Sequence, residues 1–439
     1  MPSTQSFSHS LELIRKLNRM IPGGAHTYAK GEDQYPEGMA PVIARGQGSH
    51  VWDVDGNEFI EYGSGLRSVT LGHAFPAVID AARRQLGFGA NFVRPAAIEA
   101  ECAERFLGMI PGAEMVKFCK DGSDATSGAL RLARAHTGRD VVAVCANHPF
   151  FAVDDWFIGS SGMPGGIPKV IRDLTVKFNY NDAASLAALF DAHPGRIAAV
   201  FLEAEKESPP APGFLARVRE LCTQHGALMV LDEMITGFRW HNGGAQAYHA
   251  ITPDLSTFGK ALANGFSVSA LTGKREFMRL GGMDHDRERV FLLSTTHGAE
   301  THGLAAAIAT MEVYRDEPVV ATIWQRGQRL ADGLRAAARE HGVAEHVPIL
   351  GRPCCLVFGS RDEKLQPSQP FRTLLMQEII KRGILATSLV IGYSHSNEDV
   401  DRTIEAFDGA FKVYRQALDH GLERFLVGRP VKPALRPFA

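Results

Sequence analysis

Between about residue 66 and residue 305 the chain alternates short apolar runs with longer stretches of helical pattern, and this alternation constrains the fold more than any other feature. The runs are Met115–Phe118, Val141–Cys145, Ile197–Leu202, Ala227–Leu231 and Ser269–Gly273. Strands buried on both faces read as unbroken apolar runs, and strands that alternate with helices build a mainly parallel sheet with helices on both sides. Ligands of such α/β sheets sit beyond the carboxyl ends of the strands.

The flanks read differently. Leu11, Leu13, Ile14, Leu17 and Met20 recur at helical spacing until Pro22-Gly23-Gly24 stops the helix, so residues 8–21 form an amphipathic arm. Residues 48–62 alternate around Asp55-Gly56-Asn57 as a hairpin does. After Gly303 a long helical run leads to helix-rich sequence with short strands near Cys354–Phe358. The expected division is an N-terminal arm and antiparallel unit over 1–65, a large domain over 66–305, and a bridging helix with an α+β domain over 306–439.

Composition narrows the partners. With 47 Lys and Arg against 49 Asp and Glu, the net charge of −2 provides no field that would draw in nucleic acid or an anionic membrane. Six cysteines without a C-x-x-C pair form neither a disulfide framework nor a zinc site, and a reducing cytosol suits them. The start, MPSTQSFSHS, lacks the basic and apolar regions of a secretion signal, and no run of about 18 apolar residues occurs. A soluble cytoplasmic protein is expected.

Three segments carry candidate chemistry. In Asp121-Gly122-Ser123-Asp124-Ala125-Thr126 a strand turns into a helix through glycine and small hydroxyl residues. Such a turn presents free N–H groups and the positive end of a helix to a phosphate; the bland reading is an Asp or Ser N-cap without ligand. In Ala227-Leu-Met-Val-Leu-Asp232-Glu233-Met234 an acidic pair closes an apolar strand, where a carboxylate is costly unless it meets a cation; a salt bridge to the next helix is the alternative. In Ser256-Thr-Phe-Gly259-Lys260 a lysine follows an apolar stretch among small residues. Desolvation would lower its pKa as a Schiff-base nucleophile requires, and an ordinary surface lysine is the alternative. Together, a phosphate cradle, a strand-end carboxylate and a lysine 28 positions later are the three anchors of pyridoxal 5′-phosphate, PLP.

At this point the sequence resembles the class III aminotransferases of PLP fold type I, and most closely their glutamate-1-semialdehyde 2,1-aminomutase branch. The resemblance rests on PGG at 22–24, GSHVWDVDGNEFIEYGSG from 48, DGSDATSGALRLARAHTGR at 121–139, the 212–239 segment ending DEMITGFR, PDLSTFGKALANG at 253–265 and SHSNEDVDRTIEAF at 394–407. It implies a seven-stranded, mainly parallel sheet in a large domain plus a smaller α+β domain. It further implies Lys260 as the imine lysine and Asp232 as the partner of the pyridine nitrogen. Met234 would lie on one ring face and Gly122 with Ser123 at the phosphate. Glu203 would stand near the cofactor, and Phe150, in Asn147-His148-Pro149-Phe150-Phe151, would replace the family's stacking tyrosine. Thr296 would reach the phosphate of a neighbouring subunit, which implies a homodimer. The sequence departs from the branch where an arginine meets the substrate carboxylate; Lys30 stands there instead. His297 and His302, five residues apart, are poor metal ligands, and no metal is expected.

The activity implied is transfer of an amino group from a small-molecule amino donor to a carbonyl acceptor, through a Lys260 imine and the pyridoxamine form. An intramolecular aminomutase is the alternative, and a non-catalytic PLP-fold module a distant one.

Overall fold

The computed structural model describes residues 5–148 and 150–436, so Pro149 of the phenylalanine-bearing run lies outside it. The chain divides into two compact units, one of residues 67–69 and 76–320, the other of residues 1–66, 70–75 and 321–439.

In the discontinuous unit, β1 (Ile43–Gln47), β2 (His50–Asp53) and β3 (Glu58–Glu61) form an antiparallel meander. The expected hairpin is β2–β3. Its turn is held by the Asp53 carboxylate, which accepts from the N–H groups of Asp55 (3.0 Å) and Asn57 (2.8 Å). Asp55 in turn accepts from the N–H groups of His9 (2.8 Å) and Ser10 (2.9 Å), fixing the start of the arm helix Ser8–Met20. An acidic side chain at a helix start satisfies N–H groups that have no partner within the helix.

The contiguous unit holds the large sheet: β4 (Met115–Cys119), β5 (Val141–Cys145), β6 (Thr175–Phe178), β7 (Ile197–Glu203), β8 (Leu228–Asp232), β9 (Leu255–Phe258) and β10 (Ser269–Gly273). Their order is β4-β10-β9-β8-β7-β5-β6. Strands β6 through β9 pair in parallel, and only β10 runs against its neighbours. The five apolar runs each become a strand. β6 and β9 carry no such run. β6 lies at the sheet edge, while β9 is fully buried yet contains Ser256 and Thr257; the Ser256 hydroxyl donates to Gln246 (2.7 Å). A central strand can thus be polar in sequence when its hydroxyls find partners. Helix Gly122–Thr137 lies on this sheet through Leu132 and through Ala125, Ala129 and Ala133, small residues that let the helix approach closely.

The discontinuous unit continues with β11 (Ile349–Leu350), β12 (Cys355–Phe358), β13 (Ile384–Leu385) and β14 (Leu389–Val390). β11, β12 and β14 form a small antiparallel sheet, while β13 joins the meander, parallel to β3. Among the described residues no helix is long and apolar enough to cross a membrane.

Candidate active site

Three adjacent parallel strands end level with one another. Glu203 at the end of β7 pairs in register with Asp232 at the end of β8, and Asp232 with Thr257 near the end of β9. Gly259 and Lys260 follow β9 directly. A cavity of about 410 Å³ opens at these strand ends, lined among others by Gly122, Ser123, Phe150, Glu203, Asp232, Met234 and Lys260. Seven of the eight residues expected at the site therefore share one cavity.

The acidic pair splits into two roles. Asp232 is buried and its Oδ1 accepts from the N–H of Met234 (2.8 Å), which fixes the carboxylate at the cavity wall. Glu233 points into structure instead, accepting from the Thr236 hydroxyl and from the N–H groups of Ala245 (2.8 Å) and Gln246 (2.7 Å). Burial pushes the Glu233 carboxyl up to about 7, with its hydrogen bonds pulling the other way. For Asp232, burial raises the pKa while Lys260 opposes; for Glu203, burial and the neighbouring Asp232 both raise it.

Lys260 occupies the left-handed region, at φ +43°, a conformation uncommon for any residue but glycine. Burial lowers its pKa; Asp232 and Glu203 oppose that shift, and Arg67 and Arg239 reinforce it. Met234 packs where two glycines leave room. A Cβ on Gly122 would lie 3.0 Å from the Met234 sulfur, and one on Gly259 2.6 Å from it and 2.5 Å from the Ser269 hydroxyl.

At the helix start Asp121 is the N-cap, accepting from the N–H groups of Ser123 (2.8 Å) and Asp124 (3.0 Å). Ser123 Oγ accepts from the N–H of Val153 (3.0 Å). The capping alternative thus describes this turn as it stands, and an anion would share those donors with Asp121. Phe150 is half-exposed, with its ring edge-on to Phe157 at 5.9 Å; Phe151, next to it, is buried. Beneath them His148 is buried, its Nδ1 accepting from the Glu203 N–H (3.0 Å), and burial lowers its pKa to about 3, so it stands neutral.

Thr296 is the residue set apart. It is exposed and lines a different cavity, of about 630 Å³, where its carbonyl accepts from Asn91 (3.0 Å). Lys30 lines a third cavity, of about 190 Å³, in the discontinuous unit. Sequence reasoning passed over Lys120, Ser68, Ser267 and Ser269, all on the wall of the Lys260 cavity. Lys120 had a signal, since it directly precedes the Asp121 turn; the serines had none. Among the described residues no cluster of three or more His, Cys, Asp or Glu could hold a metal.

The family model of the class III aminotransferases matches residues 32–407. This chain belongs to the class III aminotransferases. It is 34% identical over 430 residues to a protein of Desulforamulus reducens named glutamate-1-semialdehyde 2,1-aminomutase, covering 93% of this chain and 98% of that one. A protein of the same name from Syntrophobacter fumaroxidans is 31% identical, with 91% and 96% covered. The solved PLP internal aldimine form of the FumI protein of Sphingopyxis sp. MTA144 is 29% identical, with a TM-score of 0.86 and coverage of 94% and 98%. An omega-transaminase from Sphaerobacter thermophilus is 25% identical, with a TM-score of 0.84 and the same coverage. The α/β architecture of this class III aminotransferase is PLP fold type I, with its mostly parallel seven-stranded sheet and smaller sheets.

Proposed function

We propose that this class III aminotransferase is a PLP-dependent transaminase whose chemistry is centred on Lys260 and Asp232. The observation that carries the reading is that these two residues, reached from neighbouring strands, line one cavity at the carboxyl ends of a parallel sheet. The residues present fit the cofactor. Gly122 and Gly259 leave a wall without Cβ atoms, Met234 supplies a soft apolar face, and a carboxylate stands where a protonated ring nitrogen would neutralise it.

When bound, the cofactor supplies the electron sink for a carbanion at the substrate carbon. Asp232 holds a proton on the ring nitrogen, its own carboxylate oriented by the Met234 N–H. Lys260, its pKa lowered by burial, is available as the free amine that takes the proton from the substrate carbon and returns it. Phe150 and Met234, both on the cavity wall, would supply the apolar contacts to the cofactor ring. Gly122 and Ser123 hold the phosphate end, with Asp121 sharing their helix start.

The exposed Thr296 shares a cavity wall with Phe92 and Val93, large apolar side chains open to solvent, and this supports a homodimer in which that face meets a second copy. The six cysteines, all buried and none in a disulfide, suit a cytoplasmic setting.

The aminomutase reading is favoured by the names of the relatives at 34% and 31% identity. The two readings separate when an external amino donor is supplied. Stoichiometric release of the donor's carbonyl product supports transamination, and turnover of an amino aldehyde with no donor supports the mutase. The visible absorbance band of the lysine-bound cofactor is expected in the loaded protein and absent from Lys260→Ala. A band that survives that substitution would overturn the assignment of the lysine.

A further inference from the structure

We infer that the Lys260 cavity takes a polyhydroxylated amine, and its carbonyl counterpart, in preference to an amino acid, with Glu203 as the residue that sets this preference. The inference rests on the PLP-dependent reading above and names a substrate class for the same site.

Glu203 is 4% exposed, lines the cavity, and its Oε2 has no hydrogen-bond partner among the described residues. Buried carboxylate oxygens are ordinarily satisfied, so an unsatisfied one on a cavity wall marks a place for a ligand donor. Lys206, Lys260 and Arg67 act on Glu203 through space, and among the described residues no hydrogen bond reaches its Oε2. The oxygen is therefore left for the ligand.

The rest of the wall agrees. Recognition of a carboxylate uses a cation, most effectively the fork of a guanidinium. Among the described residues no arginine lines this cavity, and its two lysines are Lys260 and Lys120. Lys120 is already paired with Glu300. With Asp232 committed to the ring nitrogen, a substrate carboxylate on this wall would meet Glu203, and like charges at one site repel. A hydroxyl suits Glu203 in either charge state, because it both donates and accepts. Ser68, Ser267 and Ser269 add hydroxyl-bearing wall; Ser267 donates to the Lys120 carbonyl (2.7 Å), which leaves its oxygen able to accept.

The test uses the full-length, PLP-loaded protein and two amines, glucamine and 4-aminobutyrate. Two readouts are followed for the wild type, Glu203→Gln and Glu203→Leu: the rate at which each amine bleaches the lysine-bound cofactor band, and the thermal shift each produces. The wild type is expected to react with glucamine at least about tenfold faster than with 4-aminobutyrate, and to be stabilised more by it. Glu203→Leu should bring that ratio near one, and Glu203→Gln, which keeps hydrogen-bonding capacity, should restore part of it. A wild type that favours 4-aminobutyrate, treats the two alike, or responds to neither overturns the inference. So does a ratio unchanged in both variants. If no cofactor band forms in the wild type, the PLP-dependent reading fails and takes this inference with it; a band with the opposite preference sinks the inference alone.

Discussion

Glu203 and Asp232 are register partners at the ends of adjacent parallel strands, so two buried carboxylates stand next to each other, both in the field of Lys260. Burial opposes the charged form of each, which makes the pair costly to the fold and useful to a cation-bearing ligand. Groups proposed for the chemistry thus lower stability, and the first prediction separates those effects.

Asp232→Asn removes the charge and nearly conserves volume. Turnover of the loaded protein should fall by about 10²–10³-fold, in the range seen on removing one charge-stabilising group. Thermal stability should hold or rise, because a neutral amide escapes the desolvation that raises the carboxyl pKa. Unchanged kcat in Asp232→Asn, measured with any accepted donor, would remove Asp232 from the mechanism.

His395 predicts an acid limb in the stability curve. It is buried against Tyr62, its Nδ1 accepting from the Gly392 N–H (3.0 Å), and burial lowers its pKa from 6.5 to about 4 although Asp399 and Glu61 oppose the shift. The unfolded chain binds the proton more readily, so the stabilisation is complete above pH 6.5. It is lost as pH falls from 6.5 toward 4, by about 3 kcal/mol at the lower end. His148, lowered in the same direction, adds to the limb. Chemical denaturation across pH 4 to 8 should show a shallower limb in His395→Gln; an identical slope would contradict the assignment.

Gly327, inside helix Val319–Glu340, allows the Pro353 backbone to approach closely: a Cβ there would overlap the Pro353 carbonyl. Backbone cannot rotate aside as a side-chain tip can. Gly327→Ala should therefore destabilise by about 1–3 kcal/mol despite the better helix propensity of alanine. A urea midpoint at or above that of the wild type would show that the helix shifts freely.

The Lys120–Glu300 pair is about one quarter exposed on each side, so on its own it contributes roughly 0–1 kcal/mol. Its larger effect is on charge in the cavity. Glu300→Gln frees Lys120 to face an incoming phosphate, and PLP should bind a few-fold more tightly at low salt, with the gain shrinking as salt rises. Titration of apoprotein with PLP at two ionic strengths reads this directly, and weaker binding in the variant would assign Glu300 a direct role in holding the cofactor.

Much of this was legible in the sequence, for identifiable reasons. β5, β7 and β8 are buried on both faces and so could be written only in apolar residues, which made them visible as runs. β9 was invisible because Ser256 and Thr257 interrupt its apolar pattern, and the partner that satisfies the Ser256 hydroxyl, Gln246, is not readable from the strand itself. Lys260, Asp232 and Met234 are tied to short local motifs at strand ends, and short motifs survive reading without a structure. The division of labour between Asp232 and Glu233 was not readable, since it depends on N–H groups at 245 and 246 that only folding brings near. The unsatisfied oxygen of Glu203 likewise has no linear signature, because an absent partner is a property of the assembled wall.

The pairing of β13 with β3 joins Ile384 to Ile60 and Leu385 to Glu61. During synthesis, everything that belongs to the sheet of seven strands, residues 76–320, has emerged before the last strand of the meander exists. The contiguous unit can begin folding on the ribosome, whereas the meander stays incomplete until more than three hundred further residues have been added. The order of assembly is thereby written into the topology: the unit that bears Lys260 comes first, and the strand that completes the unit around it in sequence comes last.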